Sequence, residues 1–400
     1  MLTSHFRSTF FAFLIAAAWS SFAAPASGQL LPFDQPFLAP TNDVSWRLVV
    51  QDIDGDGLPD VSTAGPSHGQ VLFGDRTSLL RVGPSFLTGA PVSLAAGDLN
   101  EDGFGDFAWA SSDLATAYVN LSDGAGGYHW YQALEPSPLT PETLEIRDCN
   151  GDGHRDVAAT SVGWLGGGDG TFTSGSGCLA LHAVVGDFDG DAWPDRARAV
   201  YNGFTNTIRI RVALGTAGGL YGTEFDGPLL PPQTSLPFVG DADGDGLDDL
   251  VIVHYGVPKQ IGIARSVGGG AFADSVFTLF PDGPSQGAAM DIDGDGRTEF
   301  VFSSSFAPRA HFFRGAVTDG LIEYATLDLP ATSDALVIAD LARDGAPELV
   351  VDNGPNSGLW VYPNRRGFLI DVPTLDPHGL TLLGLLVAAA GCLLLHRARP

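Results

Sequence analysis

Lysine is nearly missing from this chain: Lys259 is the only one in 400 residues, against 47 aspartates and glutamates and a net charge of −27. Nucleic acid is held by clustered Lys and Arg on phosphate, so that class of partner is excluded. Cysteine is scarce too, and three are too few for a disulfide framework. Cys149 and Cys178 can pair in an oxidising compartment, although nothing in their spacing demands it. Helical periodicity is absent between Leu30 and Asp371. What is abundant is punctuation: 52 Gly and 27 Pro cut the chain into short apolar runs, which favours many short strands.

The two ends read as targeting segments. Residues 1–28 have a positive start at Arg7, an apolar run from Phe10 to Trp19, and small residues for cleavage at Ala24-Pro25-Ala26 or Ala26-Ser27-Gly28. Near the other end, Gly379 to Leu395 is apolar and is followed by His396, Arg397 and Arg399. Seventeen residues at ~1.5 Å rise cover roughly 25 Å, enough for a short membrane span with its basic tail inside. The expected organisation is a signal peptide over 1–28, a body over 29–371, and a tail over 372–400 with a transmembrane helix at 379–395.

The body is a repeat. A nine-residue acidic loop begins at Asp52, Asp98, Asp148, Asp187, Asp241, Asp291 and Asp340, at intervals of 39 to 54 residues. An apolar run leads into each loop (Arg47-Leu-Val-Val50) and another leads out (Leu250-Val-Ile-Val253). A third strand-like run follows, then a Gly-rich turn and an aromatic, as in Gly168-Asp-Gly-Thr-Phe172. Four strands in about fifty residues make one propeller blade, and stacking seven around an axis buries faces that no blade can bury alone. The expected fold is therefore all-β, a seven-bladed β-propeller with four-stranded blades. Leu30 to Pro40 is expected to supply the outer strand that completes the last blade and closes the ring.

These loops and turns resemble the FG-GAP/VCBS repeats of integrin-α-type propellers over Trp46 to Asp371. The tail Val372-Pro373-Thr374-Leu375, with its apolar run and basic end, resembles the IPTL-CTERM sorting signals of Gram-negative bacteria. Val stands for the first Ile, and Asp376-Pro-His378 for the usual Ser-x-Trp. The resemblance implies export to the cell envelope or surface, anchoring by the C-terminal helix, and processing by an exosortase-like enzyme. It also implies adhesion as a function.

Calcium takes six to eight hard oxygen ligands. Short side chains at loop positions 1, 3 and 5, with a carboxylate at position 9, can converge on one ion. Gly at position 6 permits the sharp turn. Full carboxylate sets occur in Asp52, Asp54, Asp56, Asp60; in Asp187, Asp189, Asp191, Asp195; in Asp241, Asp243, Asp245, Asp249; and in Asp291, Asp293, Asp295, Glu299. Two loops carry Asn at position 3: Asp98, Asn100, Asp102, Asp106 and Asp148, Asn150, Asp152, Asp156. Loop four has Ala192 at position 6, where strain is expected. Loop seven has Ala342 at position 3, leaving Asp340, Asp344 and Glu348, so about six calcium sites are expected. The seven loops hold 27 of the 47 acidic residues, whose mutual repulsion would oppose folding unless cations offset it.

Outside the repeat the sequence offers no catalytic constellation. The body histidines (His68, His129, His154, His182, His254, His311) lack zinc-ligand spacing, and Gly166 to Gly170 reads as a blade turn. Tyr128-His129-Trp130-Tyr131 is a candidate aromatic recognition surface, unless it simply packs between blades. The expectation is a non-catalytic module that binds an extracellular glycan, matrix or surface protein. The runner-up is a calcium-dependent polysaccharide lyase, favoured by a Lys, Arg or His beside carboxylates on the central face; a spacer with no ligand is the third reading.

Overall fold

Every acidic loop joins the first two strands of a four-stranded antiparallel sheet, and the computed structural model contains seven such sheets. It describes residues 31–364, apart from 78, 88–90, 112–115, 125–126, 136–143, 160–161, 176–182, 217–220, 281, 305 and 317–319. The described residues contain strands and turns and no helix. Blade one is Arg47–Gln51, Asp60–Ala64, His68–Phe73 and Arg81–Leu87, hydrogen-bonded in chain order. Blades two to six repeat that order.

Blade seven differs in one respect. Its first three strands are Leu336–Ala339, Glu348–Asp352 and Leu359–Tyr362, and its outermost is Phe37–Ala39 from the other end of the body. The register pairs Phe37 with Val361 and Ala39 with Leu359. The expected closing strand is thus present. It covers the edge of Leu359–Tyr362 and leaves only a three-residue edge, too short to template much pairing with other chains.

Burial within a blade has a geometric cause and is lowest on the outer strands. Second strands are covered on both faces by neighbouring blades, so Asp60–Ala64, Asp106–Ser111 and Glu348–Asp352 are buried at every residue. The outer strand Val276–Leu279, covered less, has no buried residue. The core lies between blades: Ile292, Val301 and Phe312 of blade six pack with Leu336, Leu349 and Tyr362 of blade seven. Ala39, Val350 and Val361 of blade seven pack with Val61 and Leu72 of blade one. Each large apolar side chain so buried contributes roughly 1.5–3 kcal/mol.

First strands surround the axis. Those of blades seven, one, two and three approach one another in turn, as do those of blades four to seven. They are apolar yet only half buried, as Arg47–Gln51 is along its whole length, because one edge faces an axial channel. All run the same way along that channel, so the acidic loops gather on one face of the disc. The last described residues end on that face as well: Asn364 Nδ2 donates to Ile292 O of loop six (3.2 Å) and Pro347 O of loop seven (3.1 Å).

Candidate metal centres

Loop one shows how an Asp-rich sequence folds on itself. Asp52 accepts from Gly55 N (2.8 Å) with Oδ1 and from Gly57 N (2.9 Å) with Oδ2. Asp54 Oδ1 accepts from Asp56 N (3.2 Å), and Asp56 Oδ1 from Leu58 N (2.8 Å). Each short side chain caps a donor a few residues ahead, so the main chain curls around the carboxylates. The position 1 carboxylate takes the position 6 N–H in all seven loops, through Gly57, Gly103, Gly153, Ala192, Gly246, Gly296 and Gly345. Loop seven keeps this curl although Ala342 removes its third carboxylate, with Asp340 accepting from Asp344 N (3.0 Å) and Gly345 N (2.9 Å).

The curl needs the left-handed backbone at position 6, and there the strain expected at Ala192 is present: its φ is +66°. Position 4 needs it too, which the sequence reading missed. Gly55 sits there at +73°, but loops two and seven place Glu101 (+60°) and Arg343 (+51°) in the same region.

Position 9 does more than supply an oxygen. Asp60, Asp106, Asp156, Asp195, Asp249, Glu299 and Glu348 are all at most 2% exposed. In loop two, Asp106 accepts from Leu99 N (2.8 Å) of the loop and from Ser122 N (2.8 Å) at the end of the third strand. Asp60 does the same with Ile53 N (2.7 Å) and Gly74 N (2.8 Å), and Asp195 with Phe188 N and Gly215 N (both 2.7 Å). The residue therefore brackets its loop to the blade. The repeated glycine at or just past the end of the third strand has its reason here. A Cβ on Gly74, Gly166 or Gly215 would lie 2.1–2.2 Å from the carbonyl oxygen of Pro59, Arg155 or Pro194.

Burial has an electrostatic consequence. It pushes the carboxyl of Asp60 up to about 6, and those of Asp106, Asp249 and Glu299 up to about 7; nearby loop carboxylates add to the rise. The backbone donors oppose it without cancelling it. An added cation would reverse the balance.

Four loops bring three carboxylate oxygens within 4.8 Å of one another: Asp52, Asp54 and Asp60; Asp187, Asp189 and Asp195; Asp241, Asp243 and Asp245; Asp291, Asp293 and Asp295. Oxygens on opposite sides of an ion at ~2.3–2.6 Å lie about that far apart, so each cluster can hold a metal ion. Position 9 belongs to the first two clusters and position 5 to the last two. Asp56, Asp191, Asp249 and Glu299 complete these loops at their remaining positions. In loops two and three, Asn100 Nδ2 donates to Asp102 (2.9 Å) and Asn150 Nδ2 to Asp152 (2.8 Å), beside Asp98 with Asp106 and Asp148 with Asp156. Loop five carries a competitor: Arg265, largely buried, donates to Asp243 Oδ2 at 2.8 Å.

Residues 241–302, which span loops five and six, match the family model of an FG-GAP-like repeat. The chain is a seven-bladed β-propeller that carries an FG-GAP-like repeat. A second match, to the IPTL-CTERM motif, covers residues 372–399, and it places this propeller among extracellular or surface proteins. No curated protein matches the chain. It is similar to the crystal structure of the V. cholerae biofilm matrix protein Bap1, at 13% identity over 88% of this chain and 92% of that one, with a TM-score of 0.41. A likeness that loose carries no argument about function.

Other residues singled out in the propeller sequence fall into place. Tyr128 fills the space between blades, its ring 5.2 Å from Phe86 and 5.1 Å from Phe107. The side chains of His129, Trp130 and Tyr131 lie outside what the structure describes, as do the signal segment, the tail and Cys178. Cys149 is disulfide-bonded. Gly166 to Gly170 forms the turn between the strands Gly163–Gly166 and Phe172–Gly175. His311 is buried, with Nδ1 3.1 Å from Glu323 and Nε2 3.3 Å from Asp282. These partners sit at opposite edges of the ring and share no point where a metal would bind.

Proposed function

We propose that this propeller is displayed outside a Gram-negative cell, is stiffened by calcium in loops one to six, and binds an extracellular polymer without altering it. The ions act architecturally: each would neutralise a loop whose carboxylates otherwise repel one another, and would fix the hairpin between the first two strands of its blade. Hard carboxylate and amide oxygens are the donor set that calcium takes.

One observation carries the binding part. The described chain ends on the acidic-loop face, so an anchored tail turns the opposite face away from the membrane. On that face the hairpins of blades four, five and six expose Phe204 (103%), Val257 (98%) and Phe306 (70%), with Tyr201 and Tyr255 beside them. Exposed apolar groups gathered on one face mark a contact surface. The test is retention of the protein on a panel of polysaccharides, in calcium and in chelator, with product release read in the same wells. Calcium-dependent retention without products supports the proposal; retention nowhere on the panel counts against it.

A lyase is the second reading, and one observation favours it: Arg47 and Asp334 line a pocket together at the central face. New unsaturated or reducing ends in the same wells would establish that activity in place of simple binding.

A further inference from the structure

The axial channel has a volume of about 630 Å³ and an apolar wall that includes Leu48, Val50, Val185, Phe238 and Val337. The face opposite the acidic loops has a second pocket, of about 330 Å³, at the starts of the first strands. Its character is different: Trp46, Arg47, Ser285, Gln286 and Asp334 surround it. Four blades contribute, since these residues open the first strands of blades one, six and seven, and Pro91 and Val92 open that of blade two. Both volumes lie within the range of small-molecule sites, which pair apolar walls with a few placed polar groups.

The polar residues at this mouth are anchored by bonds that leave side-chain capacity to spare. Arg47 donates through Nε to Val92 O (3.0 Å) and through Nη1 to Trp46 O (2.7 Å). Those bonds fix the guanidinium and leave Nη2 without a hydrogen-bond partner among the described residues. Asp334 is anchored by its own N–H on buried Asp352 (2.9 Å), while its carboxylate is exposed. Gln286 is pinned by Ser303 Oγ at its N–H (3.2 Å), and its side chain is exposed. Trp46 is 37% exposed, although an indole is costly to leave in water.

We infer that this axial mouth is a saccharide subsite that takes one neutral hexose unit of a glycan. An indole face packs on the C–H face of a sugar ring, while a fixed guanidinium, a carboxylate and an amide can meet its hydroxyls as donors and acceptors. A wholly apolar ligand would leave Arg47 Nη2 and the Asp334 carboxylate unmet. A polyanion would face Asp334 and a chain of net charge −27. The site deepens the polymer-binding proposal and rests on it. It also faces away from the surface on which the described chain ends.

The full chain is to be passed in calcium over an immobilised glucan, galactan and mannan. Four variants accompany it: Trp46→Ala, Trp46→Phe, Asp334→Asn, and Ile322→Ala on the outer strand of blade six. The wild type is expected to be retained on at least one of the three. Trp46→Ala and Asp334→Asn lose tenfold or more in affinity, while Trp46→Phe stays within about threefold and Ile322→Ala is unchanged. Urea midpoints unchanged across the set tie these losses to the site and not to folding. Retention that survives Trp46→Ala and Asp334→Asn overturns the mouth as the subsite and leaves polymer binding standing. Retention only on a polyanion, added as alginate, overturns the neutral hexose. No retention of the wild type on any of the four polymers overturns the subsite and the polymer-binding proposal together.

Discussion

Replacing Asp54 by Ala separates what the acidic loops do for the fold from what a metal does for it. Asp54 gives one oxygen to the loop-one cluster. Its structural duty is slight: a 3.2 Å bond from Asp56 N in an exposed turn, and a loose 3.8 Å ion pair with the exposed Arg81. The chain contains its own control, because loop seven has Ala342 at the same position and keeps the position 1 bonds to Asp344 N and Gly345 N. The apo loop should therefore tolerate the change. In chelator the substitution is expected to shift the unfolding free energy by no more than about 0.5–1 kcal/mol, and relief of repulsion from Asp52 and Asp56 offsets part of that. In calcium at about a hundred times the site's dissociation constant, each bound ion adds about 2.7 kcal/mol, and the variant forfeits most of that for loop one. Urea unfolding followed by tryptophan fluorescence, with and without chelator, reads both numbers. Equal losses in the two conditions, or a wild type indifferent to chelator, would refute the metal reading of the loops.

Position 9 behaves oppositely: Asp106→Ala strands the N–H groups of Leu99 and Ser122 in the interior, at about 1–3 kcal/mol each. The cost should appear in chelator as well as in calcium, in the same urea titration. Metal-free protein should gain thermal stability as the pH is lowered from about 8 towards 5. Asp106, Asp249 and Glu299 have folded values near 7, above the ordinary carboxylate range, so the folded state holds these protons more tightly. Stability is then gained as the pH falls through about 7 and lost as it rises. Melting curves in calcium should run the other way, because protons compete with the ion. Finally, Ala192→Gly removes a side chain from a left-handed residue and should stabilise the protein by about 1 kcal/mol in chelator; no change in the urea midpoint would mean that loop four carries no strain.

The sequence by itself determined the number of blades, the order of strands within them and the strand that closes the ring. Those features are local or periodic. Each acidic loop is formed by side chains reaching N–H groups within five residues, and each blade repeats a pattern legible in about fifty. Phe37 and Val361 are far apart in the chain, yet their pairing was foreseeable because a ring of identical units has one vacancy to fill. Only the tertiary structure decided the rest. The bracketing role of Asp106 joins a loop to the end of a strand sixteen residues on, and its burial depends on the neighbouring blade. Tyr128 could fill the repeated aromatic slot or belong to a recognition surface, and the rings of Phe86 and Phe107 beside it decide for the slot. The mouth at Trp46, Arg47, Ser285, Gln286 and Asp334 had no signal in the sequence. Its members stand at the starts of strands in blades one, six and seven, beside Pro91 and Val92 of blade two. No local pattern links them, and closure of the ring alone brings them to one place.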